Sequence, residues 1–454
     1  MPLSIIILAA GQGTRMKSSR PKVVHPVAGR PMLQHVVNTS LLLTPEQVMI
    51  VVGHQSEQVR ELIKGDELIY VEQAQQLGTG HAVLQCLGEL NEGNDVLVLY
   101  GDVPLIKAET LQGLLSDTEG SSLGILSFVP ENAHGYGRIL RDKDDSVKAI
   151  VEEKDANSEE KNILESNSGI LFINGANLHS LIEKLDDDNT QAEFYLTDVV
   201  RHAVRDKLNV SATICTSAEE VSGINNQAQL AAVERIYARR QAENLMLSGV
   251  KLYDPERIDV RGNLLVGTDV EIDVNCVFEG DVTLAHNVRI GANCVIRNSK
   301  IGAGSVILPM TNIDEAIIGC QVSIGPYARI RPGTECGDGV KIGNFVETKK
   351  SKIGAGSKVN HLSYIGDTDM GSGVNIGAGT ITCNYDGVNK FKTIIEDDVF
   401  VGSDTQLVAP VTIARGATIG AGSTITRDTP ADKLTLSRSK QVTLESWKKP
   451  TRKK

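Results

Sequence analysis

The chain has 454 residues, a formal net charge of −11 and a hydrophobic content of 41%. That length is too great for one core, and the negative balance argues against nucleic acid or an anionic membrane as a partner. No apolar run approaches the roughly 18 residues of a membrane helix, PLSIIILAAG lacks the basic leader of a signal peptide, and seven cysteines without a CxxC pair argue against a disulfide framework or zinc site and fit a reducing cytoplasm.

In chain order, Ser4–Ala9 is an apolar run ending in AAGQGTRM, Val48–Val52 ends in GH, and Val96–Tyr100 ends in GD. Apolar strands separated by helical stretches predict a mostly parallel, helix-covered sheet, an α/β Rossmann-like domain from residue 1 to about 225. Its ligands should bind outside the carboxyl ends of the strands, where the three endings line one edge. GQGTR is not a dinucleotide fingerprint, because Met16 stands where the third glycine belongs, and no GK[ST] follows. Gly11 and Gly13 still let backbone N–H groups approach a phosphate, Arg15 and Lys22 add two cations, and Pro21 fixes the backbone before Lys22. Together these point to a nucleoside triphosphate; a glycine turn alone would not.

Residues 226–250 predict a linker. Asn226–Leu247 reads as a helix of roughly 30 Å, with Leu230, Val233, Ile236 and Tyr237 on one face and Gly249 just beyond. From about 251 to the end the rhythm changes. Val266, Ile272, Phe278, Leu284 and Ile290 are six apart, as are Ile318, Ile324 and Ile330, and then Ile395, Val401, Leu407, Ile413, Ile419 and Ile425. Helices need spacings of three and four and strands need two, so sixes predict a parallel β-helix of hexapeptide repeats over roughly 264–427. Breaks are expected near 297–317 and 382–393. Glycines that follow the aliphatic residue (267, 291, 319, 325, 377, 402, 420) are expected to supply positive φ at turns. Cys276 and Cys294 occupy inward positions and read as buried structural thiols. The stretch KVNHLSYIGD at 358–367 interrupts the small-residue pattern with Asn360, His361 and Tyr364. The terminal KKPTRKK is a basic tail, read as a solubilising end.

LAAGQGTRMKSSRPK resembles the sugar-1-phosphate nucleotidyltransferase signature. With QAQQLGTGHA, YGDVPL, GYGRI, VEEKDA, NSGI, GINNQ, GPYARIRPG, GNFVETKK, VNHLSYIGD, NIGAGTITCNYDG, NKFKT and FVGSDTQLVAP, nearly the whole chain resembles one family. It is that of the bacterial bifunctional N-acetylglucosamine-1-phosphate uridyltransferases/glucosamine-1-phosphate acetyltransferases. No matched position departs from the pattern; DKDDS at 142–146 reads as loop variation.

The resemblance implies a left-handed β-helix, a homotrimer with the acetyltransferase site between chains, a cytoplasmic location, and a product that feeds cell-wall precursors. It implies UTP and acetyl-CoA as co-substrates and Mg²⁺ as cofactor. For UTP and the UDP-sugar it points to Leu8, Gly11, Arg15, Lys22, Gln73, Gly78, Thr79, Tyr100, Gly137, Glu152, Asn167 and Asn225, and for the metal to Asp102 and Asn225. Taken alone, Gln73 reads as a surface amide and Asp102 and Asn225 as helix caps. For glucosamine-1-phosphate it points to Arg331, Lys349, Tyr364, Asn375 and Lys390. For acetyl-CoA it points to Ala378, Asn384, Tyr385, Ser403, Ala421 and Arg438, and for the base to His361. Alone, the cations among these read as exposed charges, Tyr364 as packing, and the small residues as repeat filler. Two other readings stay open on the residues: a nucleotidyltransferase whose β-helix only oligomerises or regulates, and a nucleotide-sensing scaffold. NHLSY speaks against the first, and Arg15, Lys22 and Asp102 together against the second.

Overall fold

The computed structural model describes residues 2–53, 55–450 and 452. His54, at the exit of the second predicted strand, and Thr451, Lys453 and Lys454 of the basic tail lie outside the described residues. The chain divides into two compact units, residues 1–237 and 238–454.

The first unit holds a sheet in the order Val210–Cys215, Leu123–Phe128, Ser166–Ile173, Asp95–Tyr100, Leu3–Leu8, Gln47–Val52, Leu68–Glu72. Neighbours are parallel except at Ser166–Ile173, which is antiparallel on both sides. The central strands Leu3–Leu8, Gln47–Val52 and Asp95–Tyr100 are largely apolar because both their faces are covered. Ile5 and Ile7 pack with Leu33 and Val36 of the helix Met32–Leu41, and Ile6 packs on the other side with Val83 and Leu181. A hairpin, Arg138–Arg141 with Val147–Val151, leans on Ser166, and 142–146 is its turn, closed by Asp142 N–H donating to Ser146 O at 2.8 Å.

Leu8 lies opposite both Val51 and Tyr100, so the three predicted strand exits do share one edge. From Leu3–Leu8 the chain goes first to Gln47–Val52 on one side and later to Asp95–Tyr100 on the other. This is the topological switch point, where open α/β sheets leave a crevice.

The predicted linker helix spans Gln227–Leu247. Val233 is buried, and Leu230, Ile236 and Tyr237 pack with Met16, Val27 and Ile224; further on, Ala242 and Leu245 join the core of the second unit.

In the second unit each coil contributes short parallel strands that pair with those one coil away, 17 residues on for Asn344 and His361 and 18 for Asn263 and Asp281. The inward aliphatics form one continuous core. The break expected near 297–317 is corrected: Ile301, Ile307 and Ile313 are all buried and the coil runs on. What changes is the step. Ile296 and Ile301 are five apart, as are Ile313 and Ile318, and the tighter corners bend at Asn298 (φ 42) and Glu315 (φ 44). The second break is a true excursion, with Tyr385 bridged to Lys390 and the coil lengthened to 25 residues between Ser372 and Asp397.

The account of the glycines is also corrected. Of the seven, Gly325 alone has positive φ, at 103. The others are small because the next coil is too close for a side chain. A Cβ on Gly402 would lie 2.5 Å from Ala421 N, and one on Gly377 would lie 2.5 Å from Ser403 N. The left-handed corners fall elsewhere, often on Asn or Asp, which tolerate that region. Cys276 and Cys294 are buried as expected, and burial pushes their thiols up to about 12 and about 11.

This distinction is testable. Gly402→Ala should lower the stability of the second unit by about 1–3 kcal/mol, the cost of overpacking. Gly339→Asn should leave it almost unchanged, because Gly339 has φ 68 and nothing within 4 Å of its Cβ position. Thermal or urea unfolding of the two variants would expose the reverse ranking if φ were the governing term.

Candidate functional site

At the switch point a cavity of about 540 Å³ is lined by Leu8, Gly11, Lys22, Gln73, Gly78, Thr79, Tyr100 and Asp102, with Gln12, Gln76 and Glu193. Its size suits a nucleotide. Gly13, in the left-handed region with φ 61, lets the loop fold back so that Lys22 enters; a Cβ there would lie 2.6 Å from Lys22 Cβ. Lys22 Nζ donates to Asp102 Oδ2 and, at 3.1 Å, to Asn225 Oδ1. Arg15 Nη2 donates to the same Asn225 oxygen at 2.8 Å. Two cations thus converge with one carboxylate and one amide oxygen.

Asn225 is not the helix cap that it resembles in isolation. Asn226 takes that role, its Oδ1 accepting from Gln229 N–H at 2.9 Å. Asn225 is instead held by its backbone N–H, which donates to Gln229 Oε1 at 2.7 Å, and Ile224 N–H donates to Asp102 O at 3.0 Å. Gln73 is likewise buried and not a surface amide: its Nε2 donates to Gly78 O at 3.0 Å and lies 3.1 Å from His81 Nδ1.

No cluster of three or more His, Cys, Asp or Glu side chains suited to a metal occurs among the described residues. The donor set here is smaller: Asp102 Oδ2 and Asn225 Oδ1, two hard oxygens that already close on one cation, the Lys22 ammonium. Such a pair fits Mg²⁺, which binds through one or two protein oxygens and keeps waters and substrate phosphates for the rest.

The remaining matched residues sit beyond Tyr100. Burial pushes the Tyr100 phenol upward, and the carboxylates of Glu152 and Asp102 push it further. Burial also raises the Glu152 carboxyl, against the pull of Thr197, whose hydroxyl donates to Glu152 Oε1 at 3.0 Å. Asn167 N–H donates to Gly137 O at 2.8 Å, so Gly137 and Asn167 adjoin.

In the β-helix the matched residues fall into two groups along the coils. His361 ends the strand Lys358–His361, one coil from Asn344, whose Oδ1 lies 2.9 Å from His361 Nδ1. The amide oxygen can only accept, so this bond keeps the proton on Nδ1 and leaves the lone pair on Nε2 of the neutral ring. A ladder runs from this corner: Gly379 N–H to His361 O (3.3 Å), Asp404 N–H to Ala378 O (2.7 Å) and Gly422 N–H to Ser403 O (2.8 Å). Arg438 Nη1 closes it on Ala421 O at 2.9 Å.

The second group gathers at the next corner. The Lys390 ammonium, crowded beside Lys349, holds the Lys349 amine below its usual range; burial and Arg331 add to this, and Asp367 opposes it. Asn384 Nδ2 donates to Asp367 Oδ2, and Tyr385 bridges to Lys390, so both lie with the cations and not with the ladder. Tyr364–Gly366 is the short strand between the corners, about 10 Å long at 3.3 Å per residue. Asn375 lies opposite Lys358 and Phe400, and no described contact joins it to His361.

Sequence reasoning missed Asn344, Asp367, Gln76, Glu193 and Thr197. Asn344 had a usable signal, since it stands one coil length before His361.

Residues 5–192 match the model of the MobA-like NTP transferase domain, 260–346 that of the GMPPB C-terminal domain, and 392–427 that of the bacterial transferase hexapeptide with six repeats. The chain is 54% identical to "Bifunctional protein GlmU" of Cupriavidus pinatubonensis over 451 residues, 99% of each chain. It is 55% identical to that of Cupriavidus taiwanensis, again with 99% of each chain covered. To that of Nitrosospira multiformis it is 53% identical, with 99% of this chain and 98% of the relative covered.

The cation corner makes a pH prediction. Crowding lowers the Lys349 pKa, and a bound phosphate dianion would raise it again. Binding of a sugar phosphate in alkaline buffer should therefore take up protons. Calorimetry in buffers of different ionisation enthalpy should detect the uptake, and Lys390→Met should reduce it.

Proposed function

The chain belongs to the family of bifunctional GlmU proteins, and from that premise we propose how its two halves divide the synthesis of UDP-N-acetylglucosamine. The β-helix acetylates glucosamine-1-phosphate from acetyl-CoA. The sheet domain then joins the product to UTP and releases pyrophosphate. Residues 1–225 form the uridyl-transfer domain, 226–250 the linker helix and 251–454 the acetyl-transfer domain.

The uridyl-transfer reading is carried by the convergence of Arg15, Lys22, Asp102 and Asn225 at the switch point. Gln73, Gly78 and Thr79 hold the uracil end, with Leu8, Gly11 and Tyr100 lining the floor. Gly137, Glu152 and Asn167 receive the sugar. The sugar phosphate attacks the α-phosphorus in line, so the protein's task is positioning and charge neutralisation. Arg15 and Lys22 offset the charge that grows on the departing pyrophosphate. Asp102 and Asn225 would hold Mg²⁺, which would neutralise and align the triphosphate.

For acetyl transfer, the observation that counts is the His361–Asn344 bond at the head of the ladder through Ala378, Ser403 and Ala421. His361 Nε2 takes a proton from the sugar amine as that amine attacks the thioester carbonyl of acetyl-CoA; the C–N bond forms, the C–S bond breaks, and CoA leaves as the thiol with a proton returned to its sulfur. Arg331, Lys349 and Lys390 hold the substrate phosphate at the far corner, with Tyr364 and Asn375 on the sugar. Ala378, Ser403, Ala421 and Arg438 carry the coenzyme, and Asn384 and Tyr385 reach in from the insertion. A homotrimer is part of the proposal. Met310, Tyr327, Phe345 and Leu362, one per coil, leave an exposed apolar edge next to His361, and the Tyr327 and Phe345 rings stack at 5.4 Å. Such an edge supports association of β-helices. No described helix is long and apolar enough to cross a membrane; a cytoplasmic location is proposed.

Asp102→Ala should reduce uridyl transfer by about 10²-fold or more and spare acetyl transfer. Both rates should be measured on one preparation, as pyrophosphate release and CoA release. Equal loss of the two would make Asp102 structural.

His361→Ala should do the opposite, slowing acetylation by on the order of 10²–10⁴-fold, the scale of a lost general base, while uridyl transfer and oligomeric state hold. Acetylation at the parental rate would remove His361 as the base.

A further inference from the structure

Arg138 is a charged side chain with only 2% of its side-chain surface exposed, on the hairpin strand Arg138–Arg141. Its backbone adjoins Gly137, whose carbonyl accepts from Asn167 N–H at 2.8 Å. Its side chain turns back along the chain. Nη1 donates to Tyr136 O, and Nη2 pairs with Glu153 Oε2 at 2.8 Å. Glu153 follows Glu152, which Thr197 grips on the other side. Burial alone would raise the Glu153 carboxyl, but the ion pair with Arg138 brings it below the ordinary range. One planar guanidinium therefore joins the segments 134–137 and 152–153, which the contact of His134 with Glu153 at 3.2 Å also ties.

We propose that Arg138 is the positioning residue of the sugar pocket, setting the gap between Gly137 and Glu152 into which the N-acetylglucosamine ring fits. The inference rests on the reading of Gly137, Glu152 and Asn167 as the sugar-binding residues. Its chemistry needs the forked geometry of arginine. Lysine carries the same charge but only a point contact, so it cannot hold a carbonyl and a carboxylate on separate nitrogens. The residues read as holding uracil and phosphate, Gln73, Gly78, Arg15 and Lys22, are on other segments. A loosened hairpin should thus be felt by the sugar phosphate and not by UTP.

The test is steady-state kinetics of the full chain with Arg138→Lys, Glu153→Gln and Asn167→Ala. For Arg138→Lys, KM for N-acetylglucosamine-1-phosphate should rise about tenfold, in keeping with the sensitivity of substrate placement to small displacements. KM for UTP should stay within about twofold, and acetyl transfer should be unchanged. Glu153→Gln, which keeps the shape and removes the charge, should move the same KM in the same direction; it decides the matter if the lysine variant does not fold. Equal rises in both KM values, or a sugar KM like that of the parent, would overturn the role. If Asn167→Ala also leaves the sugar KM unchanged, the sugar-site reading falls and takes this inference with it. If Asn167→Ala raises it while Arg138→Lys and Glu153→Gln do not, only the inference falls.

Discussion

The β-helix depends on how closely one coil lies on the next. Backbone N–H to carbonyl bonds of 2.7–3.3 Å tie each coil to its neighbour, from Gly267–Leu284 through Gly379–His361 to Gly420–Thr435. That contact leaves no room for a Cβ at positions such as Gly377 and Gly402. It also stacks equivalent residues of successive coils at fixed height. The His361–Ala378–Ser403–Ala421 line and the Lys349–Asp367 corner are consequences of this stacking: residues far apart in sequence align because each coil repeats the last. A site built this way has its spacing set by backbone geometry, and side chains need only be placed at the right corner.

The sheet unit reaches the same end by other means. There, a reversal of strand order opens the crevice, and a mutually bonded group of Arg15, Lys22, Asp102 and Asn225 occupies it. These groups satisfy one another. On the proposed reading a triphosphate would compete for Arg15 and Lys22, and their release from Asn225 and Asp102 would free two oxygens that suit a divalent cation. Ligand binding and the arrangement of the charges are one event on this view.

Much of this was legible because the periods are strong. Strand exits at residues 8, 52 and 100 could be placed on one edge from their apolar runs, and sixes can mean little else than a parallel β-helix. What escaped was information that a spacing does not carry. A glycine following an aliphatic residue signals that something small is needed, but not whether φ or a neighbouring backbone forbids the side chain; here it is the neighbour. Five-residue steps at 296–301 and 313–318 interrupt the period of six in the sequence, although Asn298 and Glu315 only tighten a corner. Asn225 and Asn226 are identical in type, and only the three-dimensional course of the chain decides which one caps the helix. The candidate site residues came largely from resemblance, since two lysines and an arginine scattered over 331–390 have no local pattern until the coils bring them together.

The 25-residue coil has a further implication. The loop leaves after Cys383 and rejoins at Thr393 without changing the phase of the strands beyond it, since Asn375 still pairs with Phe400 and Ile376 with Val401. A solenoid can thus absorb insertions at its corners, whereas a shift within a strand would rotate every later residue to the wrong face. Corners are therefore where such a chain can change length over evolutionary time, and this one has used that freedom at the very corner where its cations collect.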